Sequence, residues 1–209
     1  QTLLVRGGQE AVSPGTLHIE GDWSHAAFYL VAGAIGRGEI RLTGLDPQSA
    51  QGDRAVVEIL RDMGADIRWE GDALVSRASR LHGLHVDCAQ VPDLVPILAV
   101  AMAAAEGESR ITGAARLRIK ESDRLSAMAA ALTAAGADVT ELPDGLIIRG
   151  GKPLHAATVE GCNDHRIVMA MTIASAVADG KLTVTDAEAT AKSAPAFWQE
   201  FEHLGGLAR

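Results

Sequence analysis

Charged residues in this chain gather at a few places. RLRIKESDRL, from Arg116 to Leu125, sets Arg116, Arg118, Lys120 and Arg124 within nine residues, with Glu121 and Asp123 between them, just ahead of an amphipathic pattern. Lys120 and Arg124 stand four apart, so a helix beginning there puts both on one face, the geometry of a two-cation clamp on phosphate or carboxylate. NDHRIVMA, from Asn163, places Asp164, His165 and Arg166 at the mouth of an apolar run, where a guanidinium has to face water or a polar cavity. TAKSAP puts Lys192 in the turn before the last helical pattern. Each has a plain alternative: a solvated, charge-balanced helix start, or a capped histidine.

What weighs against the plain readings is an internal repeat. Asp22, Asp93 and Asp164 stand 71 residues apart, each opening an apolar run that leads to a Gly-led strand pattern. LRDMGADI, from Leu60, recurs as LTAAGADV, from Leu132. The period exceeds the roughly 20–50 residues of solenoid repeats, and predicts one domain with pseudo-threefold symmetry, each unit holding two helices and several strands. The first helix of each unit (Ala26 to Ile35, Leu94 to Ala105, Ile167 to Ala178) is apolar on all sides, which requires burial. The following helices are amphipathic, through Val56, Val57 and Leu60, then Leu125, Met128, Ala129 and Leu132, then Phe197, Phe201 and Leu204. They are expected to cover sheets whose inward residues include Ile40 and Leu42, or Leu182 and Val184.

An aspartate before a helix caps its free N–H groups. For Asp22 that role suffices, because little around it is reactive; Asp93 and Asp164 have the same role available but reactive neighbours. Helices converging with their N-termini toward one point would make it an anion site. The first unit carries only QGDR (Gln51 to Arg54) where the second carries KESDR, so the extra Lys and Glu belong to the second unit alone. The repeat therefore predicts that Asp93, the Lys120–Arg124 loop, the Asp164–Arg166 turn and Lys192 line one end of the domain.

Composition narrows the partners. The chain has 209 residues, 47% of them apolar, which fits one domain, and its 3% aromatic content implies close helix packing with small side chains. A formal charge of −8 argues against a nucleic-acid or anionic-membrane surface, so an anionic ligand must be held by a local cluster. Cys88 and Cys162 are too few for a disulfide framework and nothing resembles a signal peptide, which points to the reducing cytosol. His82, His85 and Cys88 are spaced like metal ligands, but His82 and His85 fall on opposite faces of a strand pattern and no fourth ligand is apparent, so no metal site is expected. The longest apolar run, Leu94 to Ala105, is shorter than the roughly 20 residues of a membrane span. Residues 1–17, with the strand pattern TLLVRGG and a Ser-Pro-Gly turn at Ser13 to Gly15, lie outside the repeats; 18–209 form the expected domain.

PDLVPILAVA, RIKESDRL, NDHRIVMA and TAKSAP, in this order and spacing, resemble the C-terminal half of the 5-enolpyruvylshikimate-3-phosphate synthase family, the 3-phosphoshikimate 1-carboxyvinyltransferases. The resemblance runs along the whole chain; K-E-[ST]-D-R with D-H-R is its most specific part. It implies an α/β fold, an inside-out α/β barrel of three βαβαββ-type repeats, forming one of two similar domains with the active site in the cleft between them. It implies transfer of the enolpyruvyl group of phosphoenolpyruvate to the 5-hydroxyl of shikimate 3-phosphate, with no metal or organic cofactor. Asp93 then matches the base that handles the 5-hydroxyl proton, and Glu121 the acid that protonates the methylene of phosphoenolpyruvate. Arg124, Arg166 and Lys192 match the cations that hold phosphoenolpyruvate, Lys120 a contact to shikimate 3-phosphate, and His165 a neighbouring active-site group.

Two departures qualify that match. Arg116 stands where some members have an Asn contacting shikimate 3-phosphate. The family's N-terminal half, with its Lys-Ser pair, Ser-rich loop and a further Arg, has no counterpart here, so residues 1–17 are expected to be the remnant of that domain and the crossover. The expectation is a half-site, inactive alone, from an enzyme that is monomeric at full length. Two other readings are an enolpyruvyl transferase acting on UDP-N-acetylglucosamine, from which KESDR and DHR point away, and a non-catalytic anion-binding module.

Overall fold

Asp22 starts the first buried helix by accepting the Ser24 N–H at 2.9 Å. In the computed structural model, which describes residues 2–13 and 15–208, this helix is α1 (Trp23–Ile35), followed by β1 (Glu39–Leu42), α2 (Val56–Asp62), β2 (Asp66–Glu70) and β3 (Ala73–Arg77). The middle third runs β4 (His85–Asp87), α3 (Val95–Ala104), β5 (Gly107–Thr112), α4 (Arg124–Ala134), β6 (Asp138–Leu142) and β7 (Gly145–Gly150). The last holds β8 (Ala157–Val159), α5 (His165–Ala174), β9 (Leu182–Val184) and α6 (Phe197–His203). Short 3-10 turns precede α2, α3 and α4 and follow β9.

The helices α1, α3 and α5 pack against one another at the centre, and nearly every residue of α3 and α5 is buried, as sequences without a polar stripe require. Close approach depends on small residues. A Cβ on Gly33 would meet the Ser76 carbonyl at 2.7 Å, so α1 can lie on β3 only with glycine there. Ser76 itself is buried and donates to the Leu30 carbonyl at 2.7 Å, tying strand to helix.

Three sheets surround these helices. Their orders are β1-β3-β2, all antiparallel; β4-β5-β7-β6, with β4 parallel to β5; and the parallel pair β8-β9. Outside them the amphipathic helices bury the expected faces: Val56, Val57 and Leu60 on α2, and Leu125, Met128, Ala129 and Leu132 on α4. On α6 only Phe197 is fully buried; Leu204 lies past the end of the helix and is exposed, because the chain there turns away at Gly205.

The strand expected in TLLVRGG is absent. Residues 2–13 and 15–20 pair with no sheet edge, and Leu3, Leu4, Val5, Leu17 and Ile19 are exposed, so the pattern lacks the ladder partner that makes an extended segment a strand. Of the expected turn at Ser13 to Gly15, Pro14 lies outside the described residues; Ser13 Oγ donates to the Gly15 carbonyl at 2.9 Å. No helix among the described residues is long and apolar enough to cross a membrane.

Candidate active site

The centre of the charged cluster is Arg124, the first residue of α4 and 1% exposed. Its Nε donates to Asp164 Oδ2 at 2.8 Å, Nη1 to Asp93 Oδ1 at 3.0 Å, and Nη2 to Glu121 Oε2 at 2.6 Å and Asp164 Oδ1 at 3.2 Å. A buried guanidinium persists only when its charge and its N–H groups are met, and three carboxylates meet them here.

Asp164 shows the same economy from the other side. It is fully buried, caps α5 by accepting the Arg166 N–H at 2.9 Å, accepts the Arg124 fork, and takes the Ser122 hydroxyl at 2.9 Å. Burial opposes its ionisation, but the bonds and charge of Arg124 outweigh that and hold its carboxyl below the usual carboxylate range. The turn that delivers it is unusual: Cys162 and Asn163 both have left-handed backbone, at φ 52° and 50°. Such conformations are costly outside glycine and persist where surrounding contacts impose them; the Asn163 N–H is held by Asp186 Oδ2 at 2.9 Å.

Asp93 is not a helix cap. It lies in the 3-10 turn Pro92–Leu94, and the residue at the cap of α3 is Leu94, because Pro92 and Pro96 set the entry of that helix. This leaves the Asp93 side chain free to meet cations: Arg124, Lys120 Nζ at 3.3 Å from Oδ1, and Arg166 Nη2 at 3.6 Å from Oδ2. Burial raises its pKa, the fields of Arg166, Lys120 and Arg124 lower it, and the net direction is down, so Asp93 rests as a carboxylate.

The expected clamp takes a different form. Lys120 ends the preceding 3-10 turn and α4 begins only at Arg124, so the two do not share a helical face; they meet at Asp93 across the intervening loop. Arg118 belongs elsewhere, bonded to Asp123, Glu141 and the Leu142 and Pro143 carbonyls, and Arg116 donates to the Ala89 carbonyl. Only Lys120 and Arg124 of the four cations serve the cluster.

The N-termini of the three central helices do converge. Arg166, in the first turn of α5, donates through Nη1 to the Asp93 carbonyl at 3.2 Å and through Nη2 to Ser24 Oγ, in the first turn of α1, at 2.6 Å. His165 is buried, and its Nδ1 has no hydrogen-bond partner among the described residues, lying 3.8 Å from Asp164 Oδ1. Burial, then the charge of Arg166, pushes its pKa down and favours the neutral ring. Lys192 is exposed and reaches the same loop, donating to the Asn163 carbonyl at 2.5 Å and Oδ1 at 2.8 Å.

Sequence reasoning did not reach Ser24, Ser122 or Asp53. Asp53, in QGDR, is half-buried and lies in the field of Arg166, Asp93, Asp22 and Lys120; burial first, then Asp93 and Asp22, raise its pKa. The signal lay in the repeat, since QGDR occupies the place of KESDR, but nothing in it indicated direction. Grooves of about 800 and 650 Å³ run between α1, β1 and the last third of the chain, and the Arg124 cluster lines neither. In this cluster Arg124 and Asp164 are buried, while Asp93, Lys120 and Glu121 are partly exposed.

Residues 1–201 match the family model described as EPSP synthase (3-phosphoshikimate 1-carboxyvinyltransferase). The chain belongs to the EPSP synthase family. It is 44% identical over 205 residues to the 3-phosphoshikimate 1-carboxyvinyltransferase of Clostridium novyi, covering 98% of this chain and 47% of that protein. It is 45% identical over 210 residues to that of Halobacterium salinarum, covering 97% and 48%. The EPSP synthase of Acinetobacter baumannii superposes with a TM-score of 0.76 at 35% identity, over 88% of this chain and 46% of the other. The enolpyruvyl transferase NikO from Streptomyces tendae, at 19% identity and a TM-score of 0.71 over 91% of this chain and 44% of the other, shares the fold. This EPSP synthase family chain thus spans about half the length of the curated relatives it matches.

Proposed function

We propose that this chain supplies the C-terminal half of the active site of a 3-phosphoshikimate 1-carboxyvinyltransferase, which moves the enolpyruvyl group of phosphoenolpyruvate to the 5-hydroxyl of shikimate 3-phosphate and releases phosphate. The observation that carries this reading is the meeting of Asp93, Lys120, Arg124 and Arg166 at one end of the domain, within a chain of this family. The element order, three sheets around three mutually packed helices, supports reading the units as the pseudo-threefold repeats of an inside-out barrel. Residues 1–17 are then the link to a second, N-terminal domain that holds the other half of the site, in a cytosolic enzyme monomeric at full length.

The chemistry follows from charge. Asp93 takes the 5-hydroxyl proton, the oxygen attacks C2 of phosphoenolpyruvate, and Glu121 gives a proton to the methylene carbon. Phosphate then leaves, and one proton of the methyl group formed at that carbon returns to the Glu121 carboxylate, which restores the vinyl group. In the resting state three cations make Asp93 a weak base; anionic groups of the substrates arriving at Lys120 and Arg166 share those cations and strengthen it. Arg124 is already saturated, so it reaches an anion by exchanging Glu121, the more exposed of its carboxylates, which frees that group for the acid step. His165, neutral beside this face, leaves the holding of anions to the lysines and arginines.

The test is turnover. The full-length protein should form enolpyruvylshikimate phosphate and phosphate from the two substrates, and the 209-residue chain alone should not, because half of the positioning groups are elsewhere. Turnover of UDP-N-acetylglucosamine in place of shikimate 3-phosphate, or binding of both substrates without product, would overturn the assignment.

A further inference from the structure

Arg166 is held by a residue that no motif of the sequence singles out. Its Nη2 donates to Ser24 Oγ at 2.6 Å while Nη1 donates to the Asp93 carbonyl at 3.2 Å. Ser24 is itself fixed. Its N–H donates to Asp22 Oδ1 at 2.9 Å, the neighbouring Trp23 N–H donates to Gln51 Oε1 at 2.9 Å, and the Gln51 amide donates to the Gly21 carbonyl at 3.0 Å. The start of α1 is therefore a rigid platform carrying one hydroxyl.

We propose that Ser24 is a positioning residue that aims the Arg166 guanidinium at the anionic groups of phosphoenolpyruvate. The first unit, which brings none of the assigned catalytic groups, then sets the orientation of the third unit's cation. This rests on the reading that Arg166 binds phosphoenolpyruvate. Two features give the hydroxyl its value. It is neutral, so it fixes an N–H without cancelling the charge that an anionic substrate needs, as a carboxylate in its place would. It also competes with Asp93, whose Oδ2 lies 3.6 Å from the same nitrogen. Released from Ser24, Arg166 would close on that carboxylate, blocking the base and the anion site together. Asp53 and Asp93 are carboxylates in the field of Arg166, and His165, beside it on α5, makes no hydrogen bond to its guanidinium; among the described residues Ser24 is the side chain that gives it a neutral acceptor.

Ser24→Ala and Ser24→Thr in the full-length enzyme test the proposal. Ser24→Ala should raise KM for phosphoenolpyruvate about ten-fold, the loss expected for one hydrogen bond to a charged group, with KM for shikimate 3-phosphate and the melting temperature unchanged. Ser24→Thr, which keeps the hydroxyl, should restore the wild-type value. A second readout needs no turnover: in side-chain ¹⁵N NMR of the substrate-free protein, rotation of the Arg166 Nη groups should be slow in wild type and Ser24→Thr and fast in Ser24→Ala. Slow rotation with unchanged KM in Ser24→Ala would overturn the proposal, as would equal rises in both KM values with a lowered melting temperature, the mark of a damaged helix start. Wild-type protein that binds neither substrate would sink the functional reading alone, and the NMR comparison would still decide whether Ser24 holds Arg166.

Discussion

Asp22 and Asp164 occupy the same place in the repeat and each caps the first turn of a buried helix, yet one is exposed and the other fully buried. Around Asp22 the cap is the whole of its own chemistry: one oxygen accepts the Ser24 N–H. Around Asp164 the same geometry is enclosed by Arg124, Ser122 and the α5 backbone. Position in the fold is thus shared, and the burial of Arg124 against Asp164 makes the difference. Once Arg124 is buried it must be surrounded by carboxylates, and two of those, Asp93 and Glu121, remain open enough to face a ligand. Asp93, at the third equivalent place, has given up capping altogether and become a receiver of cations.

The largest expected effect separates Asp93 from Asp22. In the full-length enzyme Asp93→Asn should lower kcat by about 10²–10⁴-fold, the usual loss on removing a general base, with stability and substrate binding kept. Asp22→Asn should leave kcat near normal, because Asn caps about as well as Asp. Steady-state kinetics with thermal melting of both variants checks this; near-normal turnover in Asp93→Asn would erase the distinction.

A second contrast is one of stability. Asp164→Ala takes the fully buried carboxylate from a guanidinium that is 1% exposed and keeps only Asp93 and Glu121, and breaking a buried pair from one side costs about 3–5 kcal/mol. Asp22→Ala removes a cap alone, worth about 0.5–2 kcal/mol. Urea unfolding of the two variants should show the larger loss for Asp164→Ala, and equal losses would mean that the Arg124 fork contributes nothing.

Smaller again is the exchange of cation type. Arg166→Lys removes a two-pronged contact, to Ser24 and to the Asp93 carbonyl, and substitutes one mobile ammonium. KM for phosphoenolpyruvate should rise about ten-fold, in line with one charged hydrogen bond, while the fold persists. Unchanged kinetics would remove Arg166 from the ligand face.

How much of this could be read beforehand differs between levels. The central helices were legible because a run such as VPILAVAMAA has no polar stripe and can exist only buried. The gathering of Asp93, Lys120, Arg124 and Arg166 followed from the 71-residue spacing, which carries equivalent positions to one end. Direction was not legible. Lys120 and Arg118 lie two apart in one charged stretch, and only packing decides that one faces Asp93 and the other the β6–β7 turn. The strand expected in TLLVRGG failed for a related reason: β-pattern describes a side-chain surface, while a strand exists only where an edge accepts it.

The smallest effect concerns pH, and it sets Asp164 beside its neighbour His165 at the start of α5. Asp164 has its carboxyl held below the ordinary value, so below about pH 4 the unfolded chain binds the proton that the native state refuses, and stability falls as pH drops toward the native value. His165 acts in the same direction at a higher pH. Burial, and then Arg166, depress its pKa from the ordinary 6.5, so native His165 stays neutral where the unfolded chain is already charged. Its contribution is complete above that pH and is lost as pH falls below it, with a slope of at most about 1.4 kcal/mol per pH unit, one proton's worth. His165→Gln should therefore flatten the decline of the urea midpoint between pH 7.5 and 5.5 and leave the carboxylate limb in place, whereas Asp164→Asn should flatten that lower limb. A His165→Gln profile parallel to wild type would show that burial beside Arg166 does not set the protonation of that ring, and with it would go the argument that anions at this face are held by the lysines and arginines alone.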